Sequence, residues 1–588
     1  MKSKETQTIK YSTWNLVKDL GVYIRPYRGR FILASLLRLI GDLANLYPSI
    51  AIASIVTFFS KYHAGDPLTY FWTILGLWAA AATIRNMFVP VAKHIMFQIS
   101  EKTMIDTDLA SVKHLFALDM AWHEKENAGS KLKKIQRGSY GLDRILRMWI
   151  NNYIEISVNF VGMIIILWRT DMVIGLTMLS FVIVYFIFSS LLLKKAKKLV
   201  HEINEKEEDV SGLIFQAMNN IRSIKVAGIS EKIFELIFGK SMEMFKSIKK
   251  RIFLFQARGM LLNFIGMFFR IGAFIFIAHG ISRGHYEVGL LVLFNGYFMR
   301  VWESVSELAD TTQDLIINKM AIVRMKSLLS EPVKIDNEDD KIDFPKDWNK
   351  IIVKDLSFAY GSRQVLKNIS FEINKGERVG VIGLSGAGKT TLFKLLLKEN
   401  ENFTGDILFD DISIKRIKKS SYLKKMGIVL QETEVFNFTL RENITIASDA
   451  DLSEEELEQA LDIAHVTDFV SKLSKGIDTF IGEKGVKLSG GEKQRLGIAR
   501  AIYKKPQVLF MDEATSHLDL ESEEKIKDSL HKFFQKVTAV VVAHRLTTIK
   551  EMDKILVIEQ GKLVESGSFE ELYSKKGRFF ELWEKQKL

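Results

Sequence analysis

The stretch LSGGEKQRLGIARAIYKKPQVLFMDE, residues 488–513, decides how the rest of the chain is read. Two pieces lie side by side in it. Leu488-Ser489-Gly490-Gly491-Glu492 is a turn of small residues running into an amphipathic segment, Lys493 to Tyr503. Val508 to Met511 is an unbroken apolar run ending in two carboxylates, Asp512 and Glu513. Such a run reads as a parallel strand buried on both faces, with its polar residues at the C-terminal edge, where open α/β sheets place their sites. The turn offers backbone N–H groups, a hydroxyl and a helix N-terminus, a combination suited to a polyphosphate.

Upstream, Arg378 to Ile382 is another apolar strand. It leads into Gly383-Leu384-Ser385-Gly386-Ala387-Gly388-Lys389-Thr390-Thr391 and a helix reaching about Lys398. Strand, GxxxxGK[ST] and helix in that order are the context a phosphate-binding loop requires. Its glycines let the main chain wrap phosphates, Lys389 reaches the β- and γ-phosphates, and the Thr390 hydroxyl ligates Mg²⁺. Before it, residues 351–373 alternate as short strands with turns at Gly361 and Lys375-Gly376. The charged stretch 331–350 reads as a linker ahead of a domain over 351–588.

Residues 488–513 resemble the signature motif and Walker B strand of ATP-binding cassette (ABC) proteins, and the loop at 383–391 matches their P-loop. The resemblance implies ATP and Mg²⁺ as ligands. Tyr360 resembles the aromatic that stacks on adenine. Gln431, after the strand Met426 to Leu430, resembles the Q-loop glutamine that touches Mg²⁺ or water. Asp512 is expected to hold Mg²⁺, Glu513 to polarise the attacking water, and His544 to contact the γ-phosphate. Glu483 resembles the exporter-specific loop and Asp519 the D-loop aspartate. Ser489, Gly490 and Gly491 are expected to cap an ATP held by Gly383 to Thr391 of a facing copy, so that two composite sites form in a dimer. His517, within Ser516-His517-Leu518-Asp519, departs from the family's usual alanine.

The first half has a different composition. With 47% hydrophobic and 26% charged residues the whole chain looks soluble, but apolar segments crowd the region before about residue 320. Six of them, 30–59, 69–97, 148–168, 172–193, 252–281 and 286–309, reach the roughly 20 residues needed to cross a bilayer as a helix. Residues 11–28 read as an interfacial helix. Short connections alternate with two long ones, 98–147 and 194–251. The long ones carry the clusters Lys131-Lys133-Lys134, Lys194-Lys195-Lys197-Lys198 and Lys246-Lys249-Lys250-Arg251. By the positive-inside bias those connections, both termini and the second half are expected in the cytoplasm, in a multi-pass plasma (inner) membrane protein. The net charge of +12 is thereby assigned to cytoplasmic loops rather than to nucleic-acid binding. With no cysteine there is no disulfide, thiolate metal site or cysteine nucleophile. The polar first 20 residues do not read as a secretory signal.

The expected fold is therefore an all-α six-helix transmembrane domain over 1–330, followed by an α/β P-loop NTPase. The long connections keep a helical apolar period. Gln216 to Lys225 and Trp122 to Gly129 are similar to the turn-arounds at which coupling helices of ABC exporters dock on an ATPase. Of the charges inside apolar segments, Arg38 and Asp42 are four apart and expected to pair within one helix. Arg85 and Arg270 lack an obvious local partner, and are expected to line a cavity that handles anionic head groups. Arg300 and Glu303 also fall within the apolar segments.

The resemblance implies an exporter-type half-transporter, working as a homodimer or with a second gene's product, which exports or flips hydrophobic or amphipathic compounds, lipids or drugs. A peptide exporter and an ATP-gated channel or regulator are the alternatives. No peptidase domain precedes the membrane part, which weighs against peptide processing, and an intact Glu513 weighs against a regulator. Six spans exclude a soluble ABC ATPase of translation or repair.

Overall fold

The long apolar segments of the first half fold as helices, since in hydrocarbon every backbone N–H and C=O must be bonded within its own segment. The computed structural model describes residues 11–123, 128–333, 338, 340–448, 453–482, 485–512, 533–534, 537–542 and 549–587. They divide into two compact units, residues 1–112 with 129–330, and residues 113–128 with 331–588.

The helices in chain order are α1 Thr13–Ile24, α2 Arg28–Ala44, α3 Tyr47–Ser60, α4 Thr69–Ala117, α5 Met120–His123, α6 Ala128–Met148, α7 Ile154–Thr170, α8 Met172–Asn219, α9 Ile221–Val226, α10 Ser230–Ser282 and α11 Gly289–Leu329. Ser12 starts α1 by accepting a hydrogen bond from the Asn15 N–H. Asp171 starts α8 by accepting from the Val173 and Ile174 N–H groups, which allows a one-residue turn after α7. The expected coupling segment after Gln216 is the six-residue helix α9, between two helices of 48 and 53 residues.

Two departures from the expected pattern concern the spans. Among the described residues five segments, not six, are long and apolar enough to cross a membrane. The sixth, 286–309, does lie on a helix, α11, but Asn295, Arg300 and Glu303 dilute its apolar run. In addition, the first span is not one helix: α2 and α3 are separated at Asn45-Leu46. A π-helical turn, Trp149–Tyr153, joins α6 to α7. The membrane core centres on Phe181, Phe294, Tyr297 and Phe298, all fully buried, with the Phe181 and Phe298 rings 4.8 Å apart.

The second unit holds two sheets. β1 Lys350–Tyr360, β2 Arg363–Asn374, β4 Thr404–Phe409 and β5 Ile412–Ser413 form an antiparallel sheet in the order β2-β1-β4-β5. The other has the order β10-β9-β3-β8-β7-β6, built from β3 Arg378–Ile382, β6 Met426–Val429, β7 Val508–Asp512, β8 Thr538–Val542, β9 Lys554–Glu559 and β10 Lys562–Gly567. β6, β7, β8, β3 and β9 run parallel, and β10 returns antiparallel. Helices α12 Lys389–Leu396, α13 Lys419–Lys424, α14 Leu440–Thr445, α15 Glu454–Ile463, α16 Thr467–Val470 and α17 Gly490–Tyr503 surround them.

The end of the expected linker packs instead into this unit. Phe344 and Trp348 are buried in the core that holds β1 and β2, and the Trp348 indole N–H donates to Gln507 Oε1 at 2.8 Å. Charged neighbours hide two aromatic anchors in the sequence, because composition averages over a stretch whereas burial is decided residue by residue.

Candidate functional site

Period-2 alternation along the parallel strands builds two cores, one on each face of the sheet. Val508, Phe510, Val540 and Val542 face the core shared with Leu392, Phe393, Leu395 and Leu396 of α12. Leu509, Met511, Ala539 and Val541 face the core shared with Leu496, Ile498, Ala499 and Ile502 of α17. The P-loop helix and the signature helix thus lie on opposite faces of one sheet.

The C-terminal edge of that sheet gathers the other described site residues. Val542 stands level with Val381 of β3 on one side and with Asp512 of β7 on the other. Val429 of β6 stands level with Met511. The P-loop, beginning at Gly383, therefore leaves the sheet at the same edge as Asp512 and Gln431. Asp512 is buried at 7% exposure, while Gln431 is exposed. Glu513, Asp519, His544, His517 and Glu483 lie outside the described residues.

The loop itself takes a shape that needs glycine. Gly386 and Gly388 have φ of +78° and +109°, in the left-handed region. A Cβ on Gly388 would also stand 2.7 Å from Leu366 Cδ2. Gly388 starts α12 without a side-chain cap, so the first N–H groups of the helix are not met by a capping side chain. Lys389, 6% exposed, reaches back over the loop and donates from Nζ to the carbonyls of Gly383 (2.8 Å) and Leu384 (3.2 Å). Ala387 is buried, Ser385 and Thr390 are exposed, and Thr391 is half-buried. A loop of open N–H groups beside an ammonium fits a polyphosphate. The Thr390 hydroxyl, the Asp512 carboxylate and the Gln431 amide are an all-oxygen donor set, which fits a hard divalent cation such as Mg²⁺.

Tyr360 ends β1 with its ring edge-on to Phe358 at 4.8 Å and 44% exposed. Phe358 pairs across the hairpin with Leu366, the residue packed on Gly388, so Tyr360 belongs to the hairpin that leans on the P-loop.

Ser489 is the N-cap of α17 in a reciprocal capping box. Its Oγ accepts from the Glu492 N–H at 3.3 Å, and Glu492 Oε2 accepts from the Ser489 N–H at 2.7 Å. Ser489 and Gly490 are exposed and Gly491 is half-buried. Sequence reasoning missed how this helix is held to the segment after Gln431. Arg500 donates from Nε to the Asn443 carbonyl (2.8 Å), from Nη1 to the Glu434 carbonyl (3.1 Å) and from Nη2 to Asn443 Oδ1 (3.2 Å). Asn443, fully buried, in turn ties Phe436 through both its amide oxygen and nitrogen. Arg500 sits among apolar residues, Ile498 to Ile502, and Asn443 follows two charged ones, and neither run carries a local signal of this role, because the partners are 57 or more residues away.

In the first unit, the Arg38–Asp42 ion pair is present at 2.6 Å and fully buried. Its unforeseen third member is Glu155, 2.5 Å from Arg38 Nη2 and 3.8 Å from Arg85 Nη2. Arg85 also donates to Asn45 Oδ1. Both partners are distant in sequence, in keeping with the absence of an obvious local one. Arg270 instead lies over the Phe274 ring at 5.9 Å.

Comparison with known proteins agrees with this geometry. A family model described as ABC transporter matches residues 366–516, and one described as ABC transporter transmembrane region matches residues 31–304. Heavy metal tolerance factor 1 of Caenorhabditis elegans is 30% identical, over 98% of this chain and 73% of that protein. An ATP-dependent lipid A-core flippase of Shewanella oneidensis is 26% identical, over 99% of each chain. A solved structure of a bacterial Atm1-family ABC exporter with ATP bound superposes with a TM-score of 0.85 at 26% identity, over 95% of this chain and 98% of that one.

Proposed function

Because the chain belongs to the ABC transporter family, as an ATP-binding, ATP-hydrolysing membrane exporter, we propose that it works as a homodimer that exports or flips hydrophobic or amphipathic compounds. The observation that carries the dimer is the placement of α12 and α17 on opposite faces of the parallel sheet. A signature turn on the far face is out of place for its own P-loop, and completes the site of a second copy. A closed two-fold dimer then has two equivalent sites. The basic clusters of the long connections support a cytoplasmic ATPase in the plasma (inner) membrane.

In this reading Tyr360 stacks on adenine, and the N–H groups of Gly383 to Thr391 hold the phosphates. The Lys389 ammonium leaves its loop carbonyls for the β- and γ-phosphates. Thr390, Gln431 and Asp512 hold Mg²⁺, which when bound neutralises charge on the phosphates. Glu513 accepts the proton of the attacking water, and His544 stabilises charge on the γ-phosphoryl. Ser489, Gly490 and Gly491 of each copy, with Asp519 nearby, cap the other's nucleotide. ATP binding favours the closed dimer, and hydrolysis releases it, the differential affinity that alternating access needs.

An amphipathic substrate is supported by the full-length similarity to a lipid flippase. The test is ATP-driven movement of a fluorescent phospholipid between leaflets of reconstituted vesicles. Movement is expected in the wild type and not in Glu513→Gln. Equal flux with a non-hydrolysable ATP analogue would instead point to a channel. Export of peptides but not lipids would point to a peptide exporter.

A further inference from the structure

A serine hydroxyl has one proton to give, and in Ser489 it is already given. Its Oγ donates to Glu492 Oε2 at 2.8 Å, and the same carboxylate oxygen accepts from the Ser489 N–H at 2.7 Å. In return the Oγ accepts from the Glu492 N–H at 3.3 Å. The donor that a facing γ-phosphate needs from this turn is therefore held by a carboxylate of the turn itself.

Among the described residues three other helices begin with the same reciprocal box. They are α14 with Thr439 and Glu442, α15 with Ser453 and Glu456, and the helix Phe569–Lys575 with Ser568 and Glu571. A box of this kind closes a helix end, and in those three helices that is all the site asks of it. At α17 the same helix end is also where a polyphosphate is expected, and the two demands conflict. A helix N-terminus favours a carboxylate and a phosphate for the same reason, its open N–H groups and its dipole. The charge on Glu492 is not offset either. Glu456 of α15 pairs with Lys505, whereas among the described residues no lysine or arginine lies within ion-pair distance of Glu492. Ser489 is exposed, so the hydroxyl is within reach of a second anion.

We propose that Glu492 is a positioning residue that competes with the nucleotide for the Ser489 hydroxyl, and so sets how much ATP closes the dimer. On closure the γ-phosphate of the facing copy takes the O–H, while the carboxylate keeps the Ser489 N–H. Two anions then share one helix end, which makes the closed state less stable than the contacts alone would. Once hydrolysis has removed the γ-phosphate, the carboxylate takes the hydroxyl back and the turn is released. This rests on the reading that Ser489 caps a facing nucleotide, and the experiment separates failure of that reading from failure of the competition.

The full chain is assayed in nanodiscs for ATP hydrolysis against ATP concentration. Glu492→Gln removes the charge but keeps an acceptor for the Ser489 N–H, since glutamine serves in a capping box as glutamate does. Half-saturating ATP is expected to fall about fivefold, the scale of exchanging a charge-assisted hydrogen bond for a neutral one. In a Glu513→Gln background the same change is expected to slow the release of trapped radiolabelled ATP. A loosened or misfolded turn produces neither gain. Ser489→Ala removes the group competed for, so adding Glu492→Gln to it is expected to shift half-saturation by less than about twofold. If Ser489→Ala alone leaves the ATP dependence and the trapped lifetime unchanged, the reading of the signature turn falls, and the competition with it. If Ser489→Ala does change them, two results overturn the competition alone. One is half-saturation unmoved or raised in Glu492→Gln, and the other is an equal fall with and without the Ser489 hydroxyl.

Discussion

Asp512, the last described residue of β7, stands in register with Val542, the last residue of β8. Because Val542 is also level with Val381, one line across the sheet fixes where the P-loop and the Asp512 carboxylate leave it. Asp512→Asn preserves shape but removes the charge proposed to hold Mg²⁺. It is expected to retain ATP binding measured in EDTA and to lose Mg²⁺-dependent hydrolysis by on the order of a hundredfold. Hydrolysis within a few-fold of wild type would remove Asp512 from the metal site.

The opposite-face placement of α12 and α17 gives a cross-linking test, helped by the absence of cysteine. Cysteines introduced together at Ser385 and Ser489 are expected to join two copies, since a disulfide needs Cα atoms within about 7 Å. Yield should rise with ATP in a Glu513→Gln background and fall on reduction. A purified chain that stays monomeric and lacks ATPase activity would instead indicate a second gene's product as partner.

Arg500 and Asn443 fasten the signature helix to the segment after Gln431. Asn443→Ala removes, at a fully buried position, the amide that meets both Arg500 and the Phe436 backbone, and is expected to cost about 2 kcal/mol. Thermal unfolding in detergent measures it. Arg500→Lys cannot replace a three-pronged donor set and is expected to destabilise similarly.

Arg38 serves two carboxylates from a fully buried position. Arg38→Met strands Asp42, an arrangement expected to cost about 3 kcal/mol. Adding Asp42→Asn should restore part of that loss, as neutralising the stranded group does. The melting temperatures of the single and double variants in detergent decide it, and additive losses would refute the coupling.

Asp553 accepts from the Arg378 backbone N–H at 2.9 Å and pairs with its guanidinium at 2.5 Å. The Arg378 hydrogen bonds hold its carboxyl below the ordinary range, against a smaller opposing effect of burial. A depressed carboxylate contributes stability above its unfolded value, and that contribution is lost as the pH falls through the folded value. The side chain is 41% exposed, so Asp553→Asn is expected to cost only about 0.5 kcal/mol at pH 7. The gap between wild type and variant should close in strong acid, below the ordinary carboxylate range. A gap unchanged there would mean that charge is not its source.

The order of chemical parts was legible in the sequence because each is local. A phosphate-binding loop is a run of nine residues from Gly383 to Thr391, and a buried strand such as Val508 to Met511 shows itself by its own apolarity. The Arg38–Asp42 pair was legible for the same reason, being four residues apart on one helix. What the tertiary structure decided is everything that joins distant stretches. Val542 aligns β3 with β7 through register, which no single strand encodes. Alternating side chains place α12 and α17 on opposite faces only once the strands are neighbours. Arg38 meets Glu155 117 residues away, and Arg300 meets the Asn45 carbonyl across 255. The break at Asn45 is partly local, since Pro48, three residues on, has no N–H to bond the Ala44 carbonyl and so interrupts a continuous helix. What the tertiary structure adds is the arginines from other helices that meet the Asn45 side chain and carbonyl.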